Sequence, residues 1–258
     1  MNPAKPSGPA RSSADLVEFH LREQLGAWPP SQPVEAATSA MRTTPGWNGA
    51  VLPFFAVTSP VGTVISVPPD QLDEARGLLG NGGDQLDMAR LARVARRATG
   101  RPGRLAPHVL RWPEEFSYEG RDVGVWMAAD DPRLPEWLRK YGDVLVVLDH
   151  DVVVASAARK RHDQWGHELM ADTLAAYRGQ GYARDMMAKL ARRVLAEGAL
   201  PTTVHRPDNA ASIRVNEALG FLDRGFRTLD WESAPSVRSP LRRLLARARI
   251  RRPVATTT

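Results

Sequence analysis

The chain has 258 residues, enough for one large or two small domains with real cores. Its apolar share, 43%, is that of an ordinary globular protein; no run of 18 apolar residues is long enough to span a bilayer, and the N-terminus lacks the apolar stretch of a secretory signal. Cysteine is absent, which excludes disulfides, a cysteine nucleophile and cysteine-ligated zinc. A soluble cytoplasmic protein is the expectation.

The net charge of +6 is unevenly placed. After Glu232 the chain holds Arg238, Arg242, Arg243, Arg247, Arg249, Arg251 and Arg252 and no acidic residue, so removing those 7 charges leaves about −1 for the rest. Arginine outnumbers lysine 31 to 4, a skew that fits GC-rich coding as well as a phosphate partner. A nucleic-acid partner is therefore not expected. Leu241, Leu244, Leu245 and Ala248 fall at helical spacing in this tail, between Pro240 and Pro253.

In chain order, residues 1–13 read as a disordered lead-in. Ala14–Gly26 has the spacing of a helix, broken by Trp28-Pro29-Pro30, and Val34–Arg42 reads as a second helix ending at Pro45-Gly46. Phe54–Val57 and Thr63–Val67 read as a hairpin, and Gln71–Leu79 and Gln85–Thr99 as helices parted by Gly80-Asn81-Gly82-Gly83. Residues 14–110 thus form an α+β module in which no paired carboxylates, histidine cluster or phosphate loop is readable. From Val109 the pattern changes. Val109–Trp112 and Val123–Ala128 read as strands, Leu134–Tyr141 as a short helix, and Asp143–Leu148 with Val152–Ala158 as a hairpin turning at Asp149-His150-Asp151. Gly166–Leu174 reads as a strand, and Ala183, Met186, Met187, Leu190, Ala191 and Val194 recur at helical spacing. A strand ending at His205, a helix over Ser212–Leu219 and a last strand, Gly225–Trp231, complete the pattern.

Between strand and helix lies Tyr177-Arg178-Gly179-Gln180-Gly181-Tyr182-Ala183. A glycine-rich turn at a helix start leaves backbone N–H groups unpaired beside the positive end of the helix dipole, which suits an anion. Gly179 and Gly181 allow close approach of a phosphate. The dinucleotide fingerprint GxGxxG fails here, because Arg184 stands where its third glycine belongs, and the P-loop pattern GxxxxGK[ST] is absent.

Arg178-Gly179-Gln180-Gly181-Tyr182-Ala183 resembles the Arg/Gln-x-x-Gly-x-Gly/Ala motif of the GNAT superfamily of acyl-CoA-dependent acetyltransferases. Asn209-Ala210-Ala211-Ser212, leading to Leu219-Gly220-Phe221, resembles the second block of that family. The resemblance spans roughly Arg121 to Trp231. It implies a mixed, mostly antiparallel central sheet flanked by helices over 111–232 (α+β / α/β, the GNAT fold), with 14–110 as an additional N-terminal α+β domain and 233–258 as a basic tail. The N-terminal domain would cover the acceptor cleft or form a homodimer contact; a degenerate second GNAT-like half is a further reading.

The resemblance also implies acetyl-CoA as co-substrate. Its phosphates would lie on Arg178, Gly179, Gln180, Gly181, Tyr182 and Ala183, and its pantetheine arm along Ala171, Asp172 and Thr173 and against Asn209 and Ser212. Asn209 reads equally as a helix cap with Ser212. Acetyl transfer to an amine needs a base. Glu168, with His167 beside it, is the first candidate and His205 the second, each with a plain structural role as the alternative. Successive strand residues face opposite sides, so only one of His167 and Glu168 can enter the cleft. His162, Asp163, His167 and Glu168 match no HExxH-type spacing, so no metal is expected. Many family members carry a tyrosine where this chain has Asn216. With no cysteine to hold the acetyl group, transfer is expected to run directly to a primary amine of a small molecule or peptide. A non-catalytic acyl-CoA-binding module, and an acetyltransferase that uses its arginine tail on a protein or nucleic acid, are the alternatives.

Overall fold

Residues 11–80 and 86–233 are described by a computed structural model. The lead-in before Arg11, the glycine break at 81–83, Gln85 and the tail from residue 234 lie outside the described residues. The first helix, α1 (Ser13–Leu25), begins in a capping box, in which the Asp15 N–H donates to Ser12 Oγ and the Ser12 N–H donates to the Asp15 carboxylate, both at 3.1 Å. It ends at Gly26, whose φ of 86° places it in the left-handed region. Leu16, Val17, Leu21 and Leu25 form its buried stripe.

The helix expected over Val34–Arg42 does not form. Val34–Ala37 is a strand, β1, and only Ala40–Arg42 makes a single 3-10 turn. The hairpin of β2 (Phe55–Ser59) and β3 (Gly62–Ser66) supplies the reason, because β1 pairs parallel to β3 from Val34 opposite Thr63 to Ala37 opposite Ser66. An isolated helix of nine residues is marginal, whereas strand pairing here also buries Ala36 on one face of the sheet and Ala37 on the other. Two helices follow, α2 (Leu72–Leu79) and α3 (Met88–Thr99); Asp87 caps α3 by accepting from the Ala89 and Arg90 N–H groups. They bury Ala75, Leu91, Val94 and Ala95 against Ala56, Ile65 and Leu229.

The long strand β4 (Gly103–Pro113) leads to β5 (Val125–Met127), the short helix α4 (Glu136–Arg139), β6 (Val144–Asp149) and β7 (Val152–Arg161). His150 and Asp151 turn the β6–β7 hairpin with φ of 45° and 64°, the left-handed pair that matches strand twist. Then come β8 (Gly166–Thr173), α5 (Tyr182–Ala196), β9 (Leu200–His205), α6 (Ala210–Ala218) and β10 (Phe221–Ser233). Among the described residues ten strands join one sheet in the order β1-β3-β2-β10-β4-β9-β8-β7-β6-β5, antiparallel except at β1–β3 and β8–β9. The 110/111 boundary suggested by the change of pattern falls inside β4. That strand pairs with β10 on one edge and β9 on the other, so the sheet runs through the boundary without a break.

Strand alternation sorts the side chains between two faces. On one face Leu169, Ala155, Ala157 and Phe221 pack under Met186, Leu190, Ala191 and Val194 of α5, with Leu219 at the end of α6. On the other, α1 lies over Val57, Val64, Leu110, Trp112 and Leu200, and Leu134 and Leu138 cover Val144, Val146 and Ala158. Each of these large side chains contributes roughly 1.5–3 kcal/mol when taken from water, so both layers are fixed to the sheet. Among the described residues no helix is long and apolar enough to cross a membrane.

Candidate active site

The parallel pair at the centre of the sheet parts company. β8 and β9 are in register only from Gly166 opposite Leu200 to Glu168 opposite Thr202. Beyond that point β8 keeps β7 on its other edge as far as Thr173, while Thr203, Val204 and His205 pair with Arg111, Leu110 and Val109 of β4. Among the described residues the β9-facing edge of Leu169–Thr173 is therefore left without a strand partner, and a wedge opens between the two strands.

The glycine turn stands at the end of β8 that borders this wedge. Ala175–Tyr177 make a 3-10 turn, Gly179 and Gly181 take φ of 80° and 83°, and Gly181 is the N-cap of α5. The first helical bond runs from the Asp185 N–H to the Gly181 carbonyl, so the N–H groups of Tyr182, Ala183 and Arg184 precede any helical acceptor. A Cβ on Gly179 would meet nothing within 4 Å. Arg178 donates through Nε to the Thr173 carbonyl at 3.1 Å, tying the turn to the strand end. Tyr177 donates its hydroxyl proton to Asp149, which joins the turn to the β6–β7 hairpin; that bond holds the Asp149 carboxyl below and the Tyr177 phenol above their usual ranges.

A second support was not legible in the sequence. Asp185, in the first turn of α5, is completely covered, and it accepts from Arg121 Nε at 2.6 Å and from the Tyr118 hydroxyl at 2.8 Å. Burial works to raise the Asp185 carboxyl, but the bonds from Arg121 and Tyr118 outweigh it and the net effect is to lower it. Arg121 also donates to the Gln180 carbonyl at 2.6 Å, so a side chain from the β4–β5 connection clamps the turn. The one signal available was a carboxylate in the buried phase of α5, between Arg184 and Met186.

The face of the wedge that carries α5 and α6 holds several buried polar atoms without a partner: Thr173 Oγ1, Thr203 Oγ1, His205 Nε2, Arg111 Nε and Asn216 Oδ1. His205 Nδ1 lies 2.8 Å from the Arg206 carbonyl, which fixes the proton on Nδ1 and leaves Nε2 as a buried lone pair. Burial, with the positive charges of Arg111 and Arg227, holds the His205 imidazole below its usual value. Asn209 caps α6, its Oδ1 accepting from the Ser212 N–H at 3.2 Å. Unsatisfied buried donors and acceptors are rare in folded proteins. A polar ligand such as an amide-bearing arm fits this wall.

On the opposite face, at the apex of the wedge where β8 and β9 part, Glu168 is buried and accepts from Lys160 and, at 3.0 Å, from His162 Nε2. Burial works to raise the Glu168 carboxyl; the His162 bond and the Lys160 charge more than offset it and hold it low. His167, next in sequence, points to the α5 face beside Arg159 and Arg161. Burial first, then those two charges, push its imidazole down to about 4. Of the two neighbours it is Glu168 that lies on the face away from α5. Trp47 is edge-on to His162 with ring centroids 6.4 Å apart and stacks on Tyr141 at 5.0 Å. Behind His162, His20 of α1 is bonded through Nδ1 to Asp163 at 2.7 Å. Glu168 and His205 thus lie on opposite faces of the same opening. Among the described residues no three or more His, Asp or Glu side chains are gathered as for a metal ion.

Residues 107–221 match the acetyltransferase (GNAT) family. That stretch, a little under half of the chain, contains both halves of the wedge and the glycine turn, and the family it matches uses acetyl-CoA as co-substrate. Among solved structures, a putative GNAT acetyltransferase from Novosphingobium aromaticivorans is 25% identical, with a TM-score of 0.44 over 51% of this chain and 66% of that one. A GNAT acetyltransferase from Colwellia psychrerythraea is 14% identical, with a TM-score of 0.42 over 66% of this chain and 76% of that one. A putative acetyltransferase from Salmonella typhimurium, solved with its cofactor acetyl-CoA, is 21% identical, with a TM-score of 0.30 over 40% of this chain and 73% of that one. The chain spans just under two thirds of the first of these. No curated protein matches.

Proposed function

We propose that the chain moves an acetyl group from acetyl-CoA directly to a primary amine of a small molecule or peptide, with no acetyl-enzyme. The observation that carries this reading is the parting of β8 from β9 after Glu168 and Thr202, beside a glycine turn whose N–H groups point out of a helix start.

Acetyl-CoA supplies a thioester already activated toward an amine. The chain's own residues do the rest. The N–H groups of residues 179–184 hold phosphate oxygens, aided by the α5 dipole. The free edge of Ala171, Asp172 and Thr173 offers backbone donors and acceptors to an extended arm, as a strand would, while Thr203, Asn209 and Asn216 line the other side. Backbone N–H groups at this edge are fixed donors for charge that develops on a carbonyl oxygen. Holding two reactants in line is worth up to roughly 7–11 kcal/mol in ideal cases. The incoming amine is mostly protonated near neutral pH and must lose a proton; Glu168 and His205 are the sequence-based candidates to assist. Asn216 has no acidic proton to give, but thiols ionise near about 8.5, so a thiolate can depart without one.

The test is a screen of small amines and N-terminal peptides with acetyl-CoA, read by mass. A gain of one acetyl group on an amine supports the proposal. Tight CoA binding with no acetylated product from any amine would replace it with a non-catalytic binding module.

A further inference from the structure

At the apex of the wedge Glu168 accepts from Lys160 and from His162, and its own environment keeps it ionised. A buried carboxylate locked against Lys160 is poorly placed to accept a further proton. What it does is orient His162. The Glu168 oxygen at 3.0 Å can only accept, so His162 must carry its proton on Nε2, and Nδ1 is left as the lone pair. His162 is also the more open of the two, with 22% of its side chain exposed against 11% for Glu168. Its surroundings come from four parts of the chain: Glu168 of β8, Lys160 of β7, the His20–Asp163 pair beneath α1 at a ring distance of 6.4 Å, and Trp47, over which Lys140 also lies.

Face parity decides between the two histidines. His205 lies with α5 and α6, the side from which the turn presents the phosphates, and its lone pair is buried there beside Arg111. His162 lies on the other face, bonded to Glu168 at the point where β8 and β9 part.

We propose that His162 Nδ1 takes the proton from the acceptor amine, and that Glu168 is the positioning residue that fixes the tautomer. This rests on the acetyl-transfer reading above. The acceptor nitrogen forms the new N–C bond, the C–S bond breaks with its electron pair on sulfur, and the proton lost from nitrogen passes to His162. It then returns through solvent to the thiolate, so the imidazole ends as it began. Trp47, from the N-terminal part of the chain, forms a wall of the same site.

The first test needs no turnover. In protein labelled with nitrogen-15 at histidine, long-range proton–nitrogen spectra should show His162 protonated at Nε2 and bare at Nδ1, and Glu168→Gln should erase that preference. A His162 protonated at Nδ1 in the wild type, or a tautomer indifferent to Glu168→Gln, overturns the assignment. The second test uses an amine found in the screen. His162→Ala should lower kcat by about 100-fold or more, leave CoA affinity unchanged in calorimetry, and recover part of its rate when imidazole is added. His162→Gln, which keeps the size, serves if the alanine variant melts early, and its kcat should fall as far. A rate within about threefold of wild type in either variant, or no recovery with imidazole, sinks the proposal. Failure of every amine with the wild type would count against acetyl transfer itself, while the tautomer measurement still decides the His162–Glu168 pair.

Discussion

Arg121 reaches across from the β4–β5 connection to donate its Nε–H to Asp185 at 2.6 Å, and this contact braces the turn that faces the phosphates. The carboxylate is wholly covered and the guanidinium is 57% exposed, so the two ends of the bond should respond differently to change. Asp185→Ala leaves the Tyr118 hydroxyl and Arg121 Nε without an acceptor and should cost about 2 kcal/mol of stability. Arg121→Ala should cost less than that, because Tyr118 and Arg184 remain on the carboxylate, yet weaken CoA binding about three- to tenfold by freeing the Gln180 carbonyl. Thermal melts with calorimetry separate the two; unchanged CoA affinity in Arg121→Ala would show that the brace is only structural.

The two glycines of the turn should not be equivalent. At Gly181 a Cβ would sit 2.9 Å from Arg121 Nη2 with φ at 83°, whereas at Gly179 it would meet nothing. Gly181→Val therefore displaces the brace and carries a left-handed penalty of about 1–2 kcal/mol or more. We expect it to weaken CoA binding by more than about tenfold. Gly179→Ala carries the backbone penalty alone and should weaken binding less. Equal CoA affinities in wild type and Gly181→Val would move the phosphate site elsewhere.

Acid should destabilise the fold through His167. Its folded value, about 4, lies below the ordinary histidine value of 6.5. As pH falls below 6.5 the unfolded chain takes up the proton first, so stability drops progressively and levels off near pH 4. The effect should reach roughly 3 kcal/mol. His167→Gln removes the titrating ring, so the melting temperature between pH 7 and 4 should fall less steeply. Parallel curves for the two proteins would assign the acid sensitivity to other groups.

β4 should make the N-terminal part indispensable. A fragment beginning at residue 111 loses most of the strand that separates β9 from β10, and with it the partners of His205, Val204 and Leu229. We expect such a fragment of 111–233 not to fold, as judged by near-ultraviolet circular dichroism and dispersed amide spectra. A cooperative melt from that fragment would show that β9 and β10 can pair without it.

Much of the site was legible because it is local. Two glycines at fixed spacing before an amphipathic helix define the turn over Arg178–Ala183, and the alternation of Gly166–Thr173 defines the strand that feeds it. Parity alone placed His167 and Glu168 on opposite faces. Asn209 and Ser212 were legible as a cap, which is how the structure uses them. Helical spacing misled at Val34–Arg42, because nothing within those nine residues reports that β3 waits to pair with them.

What the sequence by itself determined, then, are the features set within a few residues: the turn, the helices with their caps, and the β6–β7 hairpin at Asp149-His150-Asp151. Tertiary structure decided the rest. It set β4 between β9 and β10, and it brought Arg121 and Tyr118 to Asp185 across 64 and 67 residues. His20 met Asp163 across 143 residues, and Trp47 came to lie against His162. These pairings depend on which surfaces the sheet brings together once its strands are ordered. No local preference encodes them, because the free energy that selects them arises only when distant apolar faces are buried and the polar groups caught between them must find partners.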